Sequence, residues 1–274
     1  SGNVLHARGD QWSVGKTVIL QKDLSLEGML WEPIPSFSGQ FKGSGHTISD
    51  LTITGQYSPA GLFGIVEEQG SIESLSVRGV VSVSDSADTT TGGIVGINHG
   101  TLINCQFTGV VTGDSEVGGI VGRNESEGTI DHSTARAIVT GKSSTGGIAG
   151  YNLGAITGCT NVGSINTEYQ EASLDTDGFT AKMVDQINNK IAAADDDATN
   201  SVTNVATDTG GIAGRSSGMI LTSVNTGTVG YEHIGYNVGG IVGRTDGLVS
   251  GCINQGRVLG RKDVGGIAGQ AEPY

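Results

Sequence analysis

The chain has 274 residues, of which 47 are glycine and only 4 are proline, and its net charge is −13. So much glycine with so little proline excludes collagen-like and proline-rich linker chains. The acidic balance excludes nucleic acid and anionic membrane as natural partners, because phosphate recognition needs clustered Lys and Arg. No apolar run approaches the roughly 20 residues of a membrane span.

Residues 1–60 carry strand signals, Thr17-Val18-Ile19-Leu20 and Thr47-Ile48-Ser49-Asp50-Leu51-Thr52-Ile53, with Trp31, Pro33, Phe37 and Phe41 between them. They depart from the repeat that follows. A solenoid needs atypical ends to shield its core, so this segment reads as a cap and the first coils. Arg8-Gly9-Asp10 is the integrin-type tripeptide. In an Asp- and Gly-rich chain chance accounts for it, and adhesion through it is the lesser reading.

From Ala60 onward a motif recurs. Gly-Gly-Ile-Val/Ala-Gly stands at 92–96, 118–122, 146–150, 210–214, 239–243 and 265–269, with the variant Ala60-Gly61-Leu62-Phe63-Gly64 before them. With the second residue as origin, the copies start at Gly61, Gly93, Gly119, Gly147, Gly211, Gly240 and Gly266. The intervals are 32, 26, 28, 64, 29 and 26 residues, so the natural period is about 26 to 29 with one long interruption. Apolar columns follow at fixed offsets: Leu62, Ile94, Ile120, Ile148, Ile212, Ile241 and Ile267, then Leu102, Ile156, Ile220 and Val249, then Val111, Ile165, Val229 and Val258. Three short strands per repeat, each about nine residues from the next, is the pattern of a β-solenoid coil. One coil cannot bury its own apolar face, and stacking places like residues over like. Glycine is expected at corners needing positive φ. Asn98, Asn124, Asn152, Asn161, Asn225 and Asn254 are expected there as the next most tolerant residue. Cys105, Cys159 and Cys252 share one column, with Ser133 and Ser223 in the other coils. An intervening coil at about 4.8 Å rise puts each pair beyond the roughly 7 Å reach of a disulfide, so three free buried thiols are expected.

The 64-residue interval contains an insertion, 168–207. Phe179, Met183, Val184, Ile187 and Ile191 recur there at helical spacing, so a short helix is expected at about 178–194. An outward apolar stripe, Val95, Val121, Ala149, Ala213, Val242 and Ala268, is its expected docking surface. The predicted architecture is all-β: a right-handed single-stranded parallel β-helix of about eight coils with one short α-helical insertion. It is read as a single domain over 1–274, with repeat coils at 61–167 and C-terminal coils at 208–274. The chain stops directly after a repeat, and further domains of the same polypeptide are expected.

The run Gly-Gly-Ile-Val-Gly-x-Asn-x-Gly-Thr-Leu-x-Asn-Cys at 92–105 resembles the GLUG motif. The stretch Trp31-Glu32-Pro33-Ile34 with Phe41-Lys42-Gly43-Ser44-Gly45-His46-Thr47-Ile48 is similar to the segment that opens such arrays. The resemblance covers roughly 30–165 and 208–270. It implies a β-helix of a bacterial secreted or cell-surface protein, adhesin-like or lying beside an immunoglobulin-A-cleaving metallopeptidase. Protease chemistry does not carry over, since the chain has no His-Glu-x-x-His.

Other chemistry is sparse. Polysaccharide lyases and hydrolases on β-helices need outward acid and base clusters. The outward columns Val110, Ser164, Thr228, Arg257 and Ile103, Thr157, Leu221, Ser250, with Glu73 and Asp131 joining the second, offer none. Loop acids Asp85, Asp88, Asp114 and Glu116 could bind calcium weakly; otherwise no cofactor and no metal site is read. His99 and His132 fall in neighbouring coils. The most suggestive feature is an aromatic corner, Tyr231, His233, Tyr236 and Asn237, with Arg261 one coil later. These residue types grip sugars and peptides. The reading is a non-catalytic, extracellular spacer or adhesin-like module whose partner is a host glycan or a surface or matrix protein. A carbohydrate-active β-helix is the alternative, and a module docking through its insertion helix is a third.

Overall fold

A computed structural model describes residues 12–83, 89–167 and 206–273. The segment expected to hold the insertion helix lies outside the described residues, as do Arg8, Gly9 and Asp10. Everything below concerns the unit formed by Ser1–Glu168 and Ala206–Tyr274.

The described residues form a parallel β-solenoid of about seven turns, with no helix. A representative coil runs through Thr101–Ile103, Gln106–Thr112, Val117–Gly118 and Val121–Asn124, one strand in each of four sheets. The first and fourth sheets have eight strands each, the second has nine, and the third has six. The described residues thus give about seven turns where eight coils were expected. The ladders between coils are parallel, with Leu102 on Ile130 and Val111 on Val139, and the pairing of Thr47–Gly55 with Ser76–Val83 shifts register between Ile48 and Leu51.

The predicted three-strand coil therefore gains a fourth strand. The third sheet starts at Thr91–Gly92 and ends at Lys262–Gly265. It exists only where the glycine motif recurs, because that motif is a corner. Thr91–Gly92 belongs to one strand and Val95–Asn98 to the next. Strand alternation stops at such a bend, so neighbouring residues need not face opposite ways. Ile94 and Val95 are both fully buried, as are Ile120 with Val121 and Ile148 with Ala149. The outward stripe expected at Val95, Val121, Ala149, Ala213 and Val242 is instead core, and Ala268, at the last coil, is half-buried against it.

Two further expectations about the corners change. None of the motif glycines has positive φ. Their role is close approach: a Cβ on Gly119 would lie 2.2 Å from the Gly147 carbonyl oxygen of the next coil. The asparagines also avoid the left-handed region, which Ser74, Asn104, His132 and Thr222 occupy in one corner column and Glu116, Ser144, Asp208, Asn237 and Asp263 in another. They form internal ladders. Asn98 Nδ2 donates to Asn124 Oδ1 at 2.8 Å, and Asn124 Nδ2 donates to Asn152 Oδ1 at 2.9 Å. A second ladder links Asn161, Asn225 and Asn254 at 2.8 Å per step.

The solenoid continues across the insertion without losing register. Ser143 pairs with Thr207, Gly146 with Gly210 and Ile156 with Ile220. At the N-terminal end aromatic residues fill the core, with ring centroids 5.2 Å apart for Phe37 and Phe63 and 5.5 Å for Phe41 and Phe63. Trp31 Nε1 donates to the Leu62 carbonyl at 3.1 Å. The cysteine column is as expected in order: Cys105 N donates to Ser133 Oγ at 3.1 Å, and Cys159 N to Ser223 Oγ at 3.2 Å. All three thiols are free; Cys105 and Cys159 are buried, and Cys252, near the last coil, is half-buried.

Candidate functional site

The aromatic corner lies between Val229 of the second-sheet side and Tyr236–Gly239 of the third sheet. The extra length is folded into a tight turn in which Tyr231 and Ile234 form an antiparallel bridge. His233 sits in the left-handed region at the tip, with φ of 60°. Tyr231 is 41% exposed.

The next coil supplies Arg261. Its backbone N–H donates to the Gly235 carbonyl at 3.0 Å, which sets it beside Tyr236. The guanidinium carbon lies 5.9 Å from the Tyr236 ring centroid, at the outer edge of cation–π contact. Lys262 is in register with Tyr236. Of the five corner residues, Tyr236 and Arg261 are thus brought together and Tyr231 is on the same turn. Asn237 is engaged elsewhere, donating through Nδ2 to Asp208 Oδ1 at 2.6 Å. His233 lies 3.9 Å from the Glu232 carboxylate, and both side chains are largely exposed.

The loop acids are already matched with cations. Lys142 Nζ is 2.5 Å from Asp114 Oδ1, and Arg123 is 2.6 Å from Glu116 Oε1 and 2.7 Å from Glu125 Oε1. Asp85 and Asp88 lie outside the described residues. His132 Nδ1 is 2.8 Å from its neighbour Asp131. Among the described residues no group of three or more His, Cys, Asp or Glu side chains could hold a metal ion. In the outward column of the first sheet, Ile103 stands between Glu73 and Asp131.

Sequence reasoning missed a further outward column, four residues after each motif origin. In the fourth sheet Ile97, Arg123, Tyr151, Arg215, Arg244 and Gln270 stack in register. The Arg123 and Arg215 guanidiniums lie 4.9 and 5.2 Å from the Tyr151 ring centroid. Burial opposes the Arg123 charge, but the hydrogen bond to Glu125 and the field of Glu116 outweigh it and raise its pKa above the ordinary value. The fixed offset was the available signal.

The GLUG motif matches residues 113–140, which make one full coil from the end of one second-sheet strand to the end of the next. The chain carries a GLUG motif on a parallel β-solenoid, the fold that the sequence resemblance implied. Halomucin of Haloquadratum walsbyi is 35% identical over 117 residues, covering 40% of this chain and 1% of halomucin. A provisionally named Gly-rich membrane protein of Evansella cellulosilytica is 28% identical over 154 residues, covering 40% of this chain and 18% of that protein. The chain therefore spans a small part of both relatives. The chain is similar in fold to the crystal structure of a provisionally named immunoglobulin A1 protease from Bacteroides ovatus, with a TM-score of 0.57 and 18% identity. That match covers 95% of this chain and 79% of the other, and it is a likeness of fold. No helix of the described residues is long and apolar enough to cross a membrane.

Proposed function

We propose that this chain is a non-catalytic module of a cell-surface or secreted protein, a rigid right-handed solenoid that presents an adhesive corner to a glycan or a matrix protein. The observation that carries the reading is the Arg261 guanidinium over the Tyr236 ring at 5.9 Å, beside Tyr231 at 41% exposure. Tyrosine and arginine are the residues that most often anchor recognition, because they combine large contact area with directional polar groups. The unbroken parallel ladders favour rigidity, since each coil is hydrogen-bonded to both neighbours. The relatives named halomucin and Gly-rich membrane protein support a surface setting.

The test is binding of the purified chain to an array of glycans and host matrix proteins, with and without calcium. Saturable binding that weakens in Tyr231→Ala, Tyr236→Ala or Arg261→Ala locates the site at the corner. Binding lost only in Asp10→Ala moves it to the tripeptide. An empty array with the fold intact removes the adhesive role and leaves the spacer. Product formed from a polysaccharide or from immunoglobulin A would overturn the non-catalytic reading.

A further inference from the structure

The in-register column Arg123, Tyr151, Arg215 and Arg244 is unusual for a chain with net charge −13, because it holds three of the eight arginines. Its members differ in how their charges are met. Arg123 is enclosed by Glu116 and Glu125. Arg244 is paired with Glu272. Arg215 has no carboxylate partner among the described residues. The place that Glu125 takes beside Arg123 holds Ser217, which hydrogen-bonds Tyr151 Oη at 3.3 Å. The place of Glu116 holds Asp208, whose Oδ1 is committed to Asn237 at 2.6 Å.

Arg215 therefore rests on the Tyr151 ring on one side and faces Arg244 on the other, one strand spacing of about 4.8 Å away along the backbone. Like charges directly opposite on neighbouring strands repel, and a structural stacking role accounts for Arg123 and Tyr151 but not for this step. An anion held between the two guanidiniums would remove the repulsion, since planar guanidinium forks bind carboxylate and sulfate with paired hydrogen bonds.

We propose that the Arg215–Arg244 step, floored by Tyr151, binds an acidic glycan through a carboxylate or sulfate group. Dense polyanions such as nucleic acid need many cations and are repelled by the acidic chain; a glycan carries sparser charge. Arg244 Nε, a member of the step, is buried without a hydrogen-bond partner. The site deepens the reading of the chain as a binding module but uses different residues, so the two fail separately.

The experiment is affinity electrophoresis of the full chain in gels containing hyaluronate, chondroitin sulfate or neutral dextran, at low salt and at about 0.15 M salt. The expected result is retardation by an acidic glycan and none by neutral dextran. Arg215→Ala should weaken retention by about tenfold or more, Arg215→Lys by less, as for loss of a charge-assisted bond. Lys142→Ala, which removes a cation already matched by Asp114, should leave retention unchanged. Thermal melting checks that each variant is folded. The proposal is overturned if the wild type passes every gel freely, or if Arg215→Ala and Lys142→Ala weaken retention equally. Stronger retention by single-stranded DNA than by either glycan would overturn the glycan assignment.

Discussion

Asn98 and Asn124 stand one coil apart with both side chains fully buried, joined by a 2.8 Å hydrogen bond from Nδ2 of the first to Oδ1 of the second. The same Asn124 donates to the Gly128 carbonyl at 3.0 Å and to Asn152 at 2.9 Å. Removing it orphans polar groups on three sides in a dry interior. Asn124→Ala should therefore cost about 2–4 kcal/mol in denaturant unfolding. Asn152→Ser should cost only about 1 kcal/mol, because Ser216 already serves as the next rung of that ladder. Equal losses in the two variants would count against the ladder as a source of stability.

Coil stacking predicts opposite outcomes for two glycines at the same motif position. A Cβ on Gly119 would meet the Gly147 carbonyl oxygen at 2.2 Å, whereas one on Gly266, in the last coil, meets nothing within 4 Å. Backbone cannot yield as a side-chain tip does. Gly119→Ala should destabilise by about 3 kcal/mol or more, and Gly266→Ala should stay within about 0.5 kcal/mol of wild type. Thermal and urea melts of the two variants decide the matter.

Burial pushes the Cys105 thiol up to about 11 and the Cys159 thiol up to about 12, against an ordinary value of 9.0. Burial also raises Cys252, though it is only partly covered. A thiol reagent at mild pH should label Cys252 first and reach the other two only on unfolding. The folded-state values lie above the unfolded one, so the stabilisation is complete below about pH 9 and is lost as pH rises through about 11 to 12. The double variant Cys105→Ser with Cys159→Ser should fold, given Ser133 and Ser223 in the same column, and should lose less stability than wild type across that window.

Calcium removal should leave the described loops unchanged. Asp114 and Glu116 are already neutralised by Lys142 and Arg123, so a chelator should not shift the melting temperature. Arg123→Ala should make Glu116 and Glu125 uncompensated neighbours and lower stability by about 1–2 kcal/mol, more at low salt than at high. A melt that drops on chelation in the wild type would show a calcium site that these pairs do not explain.

The corner at Tyr231 to Tyr236 was visible in the sequence as aromatic residues in extra length between repeats, but its pairings were not. The hydrogen bond from Asn237 to Asp208 joins residues 29 apart in the chain, and no spacing in the sequence announces it. Arg215 attracted no notice, because its isolation depends on what Ser217 and Asp208 bind across coils.

Periodicity alone determined the solenoid, its inward columns at Leu102 and Val111, and the alternation of cysteine and serine along one line. Such columns are written in the spacing of like residues, since every coil repeats the environment of the one before. Only the tertiary structure decided what happens at bends and between coils. It folded Ile94 and Val95 into the same core, turned the motif glycines into points of backbone contact, and made internal hydrogen-bond ladders of asparagines that resemble turn residues. Strand alternation does not survive a corner. A short polar side chain, moreover, serves equally well to cap a turn or to bond its twin one coil away.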